Sequence, residues 1–354
     1  MFKILSKVSG RTMPAFWALT AFLALFAIPH ANALACGDKI TADVTLTADL
    51  GPCPNIGIFM DGIPAHVTID LNGHTIRGKG TTSVGIQMGA AFAGVTIKGP
   101  GKIINFNVGV SAGSGAPDIM IYDVTFSNDV TALGLGGEMS SNTRIFSNKI
   151  QAGTKGMVGI STSKGGVYIY QNQITGFSLA AVYLPIVSTV TIANNYIAHN
   201  GVGVISAAQM TCTVVRGNTV TLNKGNGIQL GNNLTPQAQV SPDVITSNCS
   251  DIEDNKVTLN GGNGIYVEPS GEYSPIVQDN IVTSNALNGI EISTAELEGS
   301  VTIEGNQVSG SGSSDFFWDG NGTVCWDHNV YGTSSPANLP QCQSASGAVS
   351  SILR

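Results

Sequence analysis

An asparagine returns in one fixed setting down most of the chain, at Asn148, Asn172, Asn195, Asn218, Asn255, Asn280, Asn306 and Asn329. Around it the text reads IFSNKI, IYQNQI, IANNYI, VVRGNTV, IEDNKV, VQDNIV and IEGNQV: a β-branched residue, a short polar step, Asn, and two places later Ile or Val. The first intervals are 24, 23 and 23 residues. A repeat of that length is one structural unit that cannot bury its apolar face alone, so the chain must wind into a solenoid with one coil per repeat.

Written on this register, coils begin near Val67, Val95, Ile119, Thr143, Val167, Val190, Thr213, Ser250, Pro275, Val301 and Val324, about eleven in all. One inward column runs Ile69, Ile97, Ile121, Ile145, Ile169, Ile192, Val215, Ile252, Val277 and Ile303; a second, two residues after the Asn, runs from Ile150 to Val308. Strands paired in register stack like on like, so these columns predict the core. A further strand per coil is signalled by VGI, AAV, VGV and three NGI motifs, centred on Ile160, Val182, Val204, Ile228, Ile265 and Ile290. The Gly before that strand is expected to supply a turn with positive φ. The Asn amides should bond to turn backbone and to one another along the axis, with a second ladder at Asn200, Asn223, Asn260 and Asn285.

The chain's start reads as a targeting segment, 1–35: Lys3, Lys7 and Arg11 supply charge, Ala15 to Ile28 is apolar, and Ala33-Leu34-Ala35 offers a small-residue cleavage site. The apolar run is shorter than the roughly 20 residues a spanning helix requires, and no later stretch qualifies, so no transmembrane segment is expected. Cys36 after Ala-Leu-Ala also resembles a lipoprotein cleavage site, but it has a better use as half of a disulfide. Without the leader, 13 Lys and Arg remain against 23 Asp and Glu, a formal −10. That balance argues against a nucleic-acid partner, and a polyanion would need local Arg, Lys or metal ions to approach. Neutral glycans, or acidic ones bridged by cations, remain open. High Gly with many Val, Ile, Thr and Asn describes a turn-rich all-β protein.

These patterns, with VTIDLNGHTI at Val67 to Ile76 and the opening CGDKITADVTLTADLGPC at Cys36 to Cys53, resemble the right-handed parallel β-helix repeat family related to pectate lyases and NosD-like periplasmic proteins. The resemblance covers most of Cys36 to Tyr331 and implies one elongated all-β domain: an N-terminal cap at 36–66, the parallel β-helix at 67–331, and a C-terminal cap and tail at 332–354. Lyases, hydrolases, epimerases, adhesins and maturation factors share this scaffold, so it does not name a reaction.

Six cysteines suit an oxidising compartment. Cys212 and Cys249 lie three residues before Val215 and Ile252, equivalent positions in neighbouring coils about 4.8 Å apart, inside the range a disulfide accepts. We therefore expect Cys212–Cys249, with Cys36–Cys53 and Cys325–Cys342 fastening the two caps. The repeat is broken once, between Asn218 and Asn255, where the surplus from Gly231 to Asn248 should leave the body as a loop; a smaller excursion follows at Glu268 to Ser274.

Candidate site residues fall in outward columns. Tyr122, Phe146 and Tyr170 should stack on one face, with Arg144 and Tyr168 beside them; rings suit sugar C–H faces and Arg can grip a carboxylate or hydroxyl pair. Farther along, Arg216 and Glu253 would be neighbours and read as a surface ion pair, while Arg216 could also serve a substrate. Asp254 and Asp279 occupy equivalent sites on adjacent coils, as an acid/nucleophile pair or a Ca²⁺ site would require, or simply accept turn N–H bonds at the bend. On the further strand, Tyr183, Gln229, Tyr266 and Glu291 should line up on consecutive coils near both excursions, with Glu291 as acid or base and Tyr266 as proton donor or sugar platform. There is no His/Cys metal cluster, Gly-x-Ser-x-Gly, phosphate loop, paired-Asp signature of pectin hydrolases or Asp-Pro-His motif of alginate epimerases.

The chain thus reads as an exported, secreted or periplasmic, polysaccharide-binding protein, with lyase, hydrolase or epimerase chemistry as its enzymatic form. The alternative is a non-catalytic adhesin-like module or a NosD-like maturation factor. No pattern sets an oligomeric state.

Overall fold

Short β-branched segments punctuated by Gly and Asn fold into strands of mostly three to five residues, and every paired strand runs parallel to its partner in the next coil. The computed structural model describes residues 34–60, 62, 66–80, 83–89, 94–113, 117–136, 142–185, 188–206, 211–231, 250–268, 274–293 and 300–342. The leader and most of both predicted excursions lie outside them. So do the side chains of Cys212 and Cys249, and with them that expected disulfide. Among the described residues no helix is long and apolar enough to cross a membrane.

One strand of each coil enters a 13-stranded sheet, here sheet A, from Asp38–Ile40 to Ser334–Ser335. The other two strands of a coil form columns B and C. In the asparagine-rich part, column B holds Thr143–Phe146 and Val167–Tyr170, and column C holds Lys149–Gln151 and Gln173–Thr175. Nearer the start, the single strands Thr96–Ile104 and Met120–Ser127 run through the bend and belong to both columns. Pairing also runs through both segments read as caps: Asp38–Ile40 and Ile56–Met60 open sheet A, and Gln341 bridges Trp326.

The predicted inward columns hold without exception. Ile97, Ile121, Ile145, Ile169, Ile192, Val215, Ile252, Val277 and Ile303 are fully buried and stack in register, as are Ile150, Ile174, Ile197, Val220, Val257 and Val282. They join one continuous core, each such side chain contributing about 1.5–3 kcal/mol relative to an exposed one.

The bend between columns B and C is built by the asparagines. Asn148 Nδ2 donates to Asn172 Oδ1 at 3.0 Å, and the same bond repeats through Asn195, Asn218, Asn255, Asn280 and Asn306 to Asn329. Each Oδ1 also accepts the backbone N–H of the preceding Asn, and each Nδ2 also donates to a strand carbonyl, as Asn148 does to Ile121 at 2.8 Å. An amide side chain, with two donors and a two-lone-pair acceptor, satisfies the strand carbonyl and the neighbouring N–H together in this dry bend. The residue before it takes a left-handed φ, 55° at Ser147, 56° at Gln171, 55° at Asp254 and 54° at Asp279. The second ladder forms as expected from Asn200 to Asn285.

The glycine expectation needs correction. Gly227, Gly264 and Gly289 of the three NGI motifs do not have positive φ; they are small because the next coil is close. A Cβ on Gly264 would come 2.5 Å from Val282 Cγ1 and 2.6 Å from the Gly289 carbonyl oxygen. The ends are stapled as predicted, by Cys36–Cys53 with Cα atoms 5.4 Å apart and Cys325–Cys342 at 4.5 Å.

Candidate functional site

The strand centred on each NGI motif places its middle residue on the outer face of sheet A. Gln229, Tyr266 and Glu291 are register partners on three successive coils. Tyr183 belongs to the same column but not to the same run: Ile205 pairs between Tyr183 and Gln229, because the VGVIS coil carries an isoleucine at the outward place. Ile205 is fully buried and packs with Ala180, Tyr183 and Val202. The expected four-residue line is therefore three polar residues with an apolar stop beside them.

The three polar side chains are held rather than loose. Asn226 Nδ2 donates to Gln229 Oε1 at 3.1 Å, and Asn288 Nδ2 donates to Glu291 Oε2 at 2.7 Å. These asparagines make a third ladder through backbone bonds: Asn263 N–H to Asn226 Oδ1 at 2.8 Å, and Asn288 N–H to Asn263 Oδ1 at 2.9 Å. In the motif N-G-I-x, the Asn thus ties one coil to the next, and in two of the three it also holds x, three residues on. The Tyr266 hydroxyl donates to Glu268 Oε2 at a long 3.4 Å. Gln229 and Tyr266 are only 4% and 6% exposed, whereas Glu291 is half-exposed. The arrangement is a strip with a fixed carboxylate at one end and a phenol and a second carboxylate, Glu268, beside it.

The aromatic ladder on column B forms as expected. The Tyr122 and Phe146 rings stack with centroids 4.9 Å apart and planes at 10°, and Phe146 and Tyr170 at 4.9 Å and 4°. The rings lie face to face along the axis, so their inner faces serve one another and only the outer faces of Tyr122 and Tyr170 remain for a ligand. Tyr168 is 42% exposed beside them, and Arg144 Nη2 donates to Asn142 Oδ1 at 3.0 Å. Lys98 continues this column toward the start and pairs with Asp70 at 2.9 Å. That bond holds the Asp70 carboxyl below its ordinary range.

One expectation fails in its particulars and another holds in place. Arg216 and Glu253 are register partners, but no ion pair forms; Glu253 Oε2 instead accepts Gln278 Nε2 at 3.0 Å. A neutral amide on the next coil reaches the carboxylate while the guanidinium stays in water. Asp254 and Asp279 do stack on adjacent coils, yet they are exposed at the left-handed bend between columns B and C, not on sheet A with Tyr266 and Glu291. The candidate acid and base residues thus lie in two places, Asp254 and Asp279 at the bend and Tyr266 and Glu291 on sheet A. Neither Asp joins the cluster that comes nearest to a cation set, Glu304, Asp327 and His328, whose ligand atoms lie within 4.8 Å of one another. In that trio Glu304 and His328 are exposed and Asp327 is half-buried, with His328 Nδ1 3.1 Å from Asp327 Oδ1.

Sequence reasoning missed Glu268 and the positioning role of Asn226 and Asn288. The signal lies in the motif itself, whose Asn recurs three residues before the outward place as Asn226, Asn263 and Asn288.

A chain whose coils stack in parallel around one core, with amide ladders at the bends, is a parallel β-helix. A profile described as the right handed beta helix region matches residues 57–251, 133–308 and 244–335, and the chain belongs to that family. Among solved structures it is similar to a double mutant of the periplasmic alginate epimerase AlgG, at 15% identity and TM-score 0.64, covering 84% of this chain and 77% of that one. Another structure of the periplasmic alginate epimerase AlgG matches at 14% identity and TM-score 0.52, covering 82% and 84%. At these identities the likeness is one of fold. No curated protein matches the chain.

Proposed function

We propose that this is an exported protein that binds a polysaccharide along the outer face of sheet A, with Glu268 and Glu291 as the reachable contacts and Gln229 and Tyr266 set behind them. The observation that carries the reading is the positioning of this strip: polar groups on successive coils, two of them fixed by ladder asparagines. Preorganised donors and acceptors repeated at the coil spacing suit a ligand that is itself a repeating chain. The structures of AlgG, a periplasmic alginate epimerase, support it by analogy of fold. The disulfides at both ends fit an oxidising compartment. In its enzymatic form Glu291 acts as acid or base and Tyr266 as its partner, giving lyase, hydrolase or epimerase chemistry without the Asp-Pro-His motif.

One observation favours the non-catalytic alternative, an adhesin-like or maturation-factor rod. The middle of the column is closed, with Ile205 at 0% and Gln229 at 4% exposure.

The test is a panel of neutral and acidic polysaccharides, read by pull-down, by absorbance of unsaturated products and by new reducing ends, with and without Ca²⁺. Binding lost in Tyr266→Phe or Glu291→Gln supports the strip, and product loss in the same variants supports catalysis. Binding that survives both substitutions and falls with Tyr168→Ala or Tyr170→Ala moves the ligand to column B. No binding and no product on any glycan leaves the rod.

A further inference from the structure

The turn from column C to sheet A changes length along the axis. It is three residues long at 105–107 and at 128–130, but longer on the coil before, at 79–83, and on the coil after, at 152–157. Two short turns between two long ones leave a depression of about 220 Å³. Asn105 and Asn128 form its floor, and Lys79 with Gly80 and Thr154 with Lys155 form its walls. Asn128 Nδ2 donates to Asn105 Oδ1 at 2.5 Å, which leaves the Asn105 amide donors for a ligand. Gly153 allows this floor, since a Cβ there would come 1.6 Å from Asn128 Oδ1.

We propose that this depression binds a compact, doubly charged oxyanion group, phosphate or sulfate, either free or as an ester on a sugar. Among the described residues neither Lys79 nor Lys155 has an ion-pair partner. The carboxyl next to the floor, Asp129, is turned into the core and 1% exposed. The walls stand three coils apart, about 14 Å at the strand spacing of a sheet, within the combined reach of two flexible lysine stems. Both ammonium groups can therefore meet one anion over the floor. A single carboxylate would neutralise one of them, whereas a dianion matches both. The volume lies below the roughly 300–1,000 Å³ of sites that enclose drug-sized ligands, so the occupant is one charged group with at most its carrier ring at the mouth. In a chain of net charge −7, two unpaired cations facing each other are a local reversal of the surface field. The site lies coils away from Gln229, Tyr266 and Glu291 and does not depend on the reading of that strip.

The experiment is titration calorimetry of the full chain at low ionic strength with inorganic phosphate, inorganic sulfate and glucose 6-phosphate. Saturable one-to-one binding of at least one probe is expected, weakened tenfold or more in the double variant Lys79→Gln, Lys155→Gln and unchanged in Lys149→Gln, an exposed lysine outside the depression. Tighter binding of the sugar ester than of the inorganic anions assigns an ester, and equal or weaker binding assigns the free anion. No saturable heat with all three probes, equal binding by the double variant, or equal binding of a uronic acid would overturn the proposal. All three substitutions are of exposed side chains and leave the fold intact.

Discussion

The coils from Asn148 onward and the coils before it reach the same cross-section by different means. Downstream, the bend between columns B and C is an amide relay from Asn148 to Asn329. Upstream, the bend position is filled by Val124, two single strands run through it, and the second bend carries Asp129 where an asparagine stands later. The comparison shows what the ladder supplies. Asp129 Oδ1 accepts the Phe106 N–H at 2.8 Å as a ladder Asn would, but its Oδ2 is buried without a partner. Burial pushes this carboxyl up to about 8, so at neutral pH it is held as the acid. The irregular half carries the exceptions, and the cationic depression spans the boundary between the two, from Lys79 to Lys155.

The largest expected effect is on the relay. Asn255 Nδ2 donates to the Val215 carbonyl at 2.7 Å and to Asn280 Oδ1, while its Oδ1 accepts both the N–H and the Nδ2 of Asn218. Asn255→Leu takes this partner from the Val215 carbonyl and the Asn218 N–H in a dry bend, while Asn280 Oδ1 keeps the Asn255 N–H and Asn218 Nδ2 keeps the Ile192 carbonyl, a loss on the order of 4 kcal/mol. Val124→Ala, at the upstream bend, removes only packing and should cost about 2 kcal/mol. Urea melts of the two variants check the contrast, and equal losses would mean the relay adds little beyond packing.

Next comes Asp129. Its folded value lies above its unfolded value, so the folded state binds the extra proton. Stability should therefore fall as pH rises through the window from about 4 to 8, by up to about 1.4 kcal/mol per unit, and level off above it. Asp129→Asn removes that slope and gives the bend a donor for the Ile103 carbonyl, as Asn200 donates to that of Ile174. The variant should melt several degrees higher at pH 8 and differ little at pH 4; a pH-independent difference would refute the buried acid.

The two staples each span 17 residues, so opening either by Cys→Ser should cost a similar amount, about 3 kcal/mol or less, with no dependence on which half it closes. Thermal melts of Cys36→Ser with Cys53→Ser, and of Cys325→Ser with Cys342→Ser, decide this. The smallest effect is at the surface: a double-mutant cycle on Arg216 and Glu253 should give a coupling near zero, since Gln278 holds the carboxylate.

Periodicity made the fold legible, because a repeat of identical letters specifies both the inward columns and the register between them. Ile145 above Ile121 and Asn172 above Asn148 needed no more than counting. Departures from the period were harder. The Ile205 break between Tyr183 and Gln229 stands in VGVIS, where an isoleucine takes the outward place. Arg216 and Glu253 were placed correctly, yet which neighbour takes a carboxylate depends on side-chain geometry that the register leaves open. The depression was illegible because it arises from four turn lengths taken together, and no single turn announces it.

All the amides of the relay point the same way, each passing its hydrogens to the oxygen of the following coil. The rod therefore has an electrical sense along its length, and each bond polarises the next, as in a chain of aligned dipoles. A foreign coil inserted in the middle has to present an acceptor to one side and donors to the other, so duplication of a whole repeat is tolerated where deletion of part of one is not. Such a chain can lengthen in evolution by copying units, and Asn329, whose amide has no described successor to donate to, is where the next copy would attach.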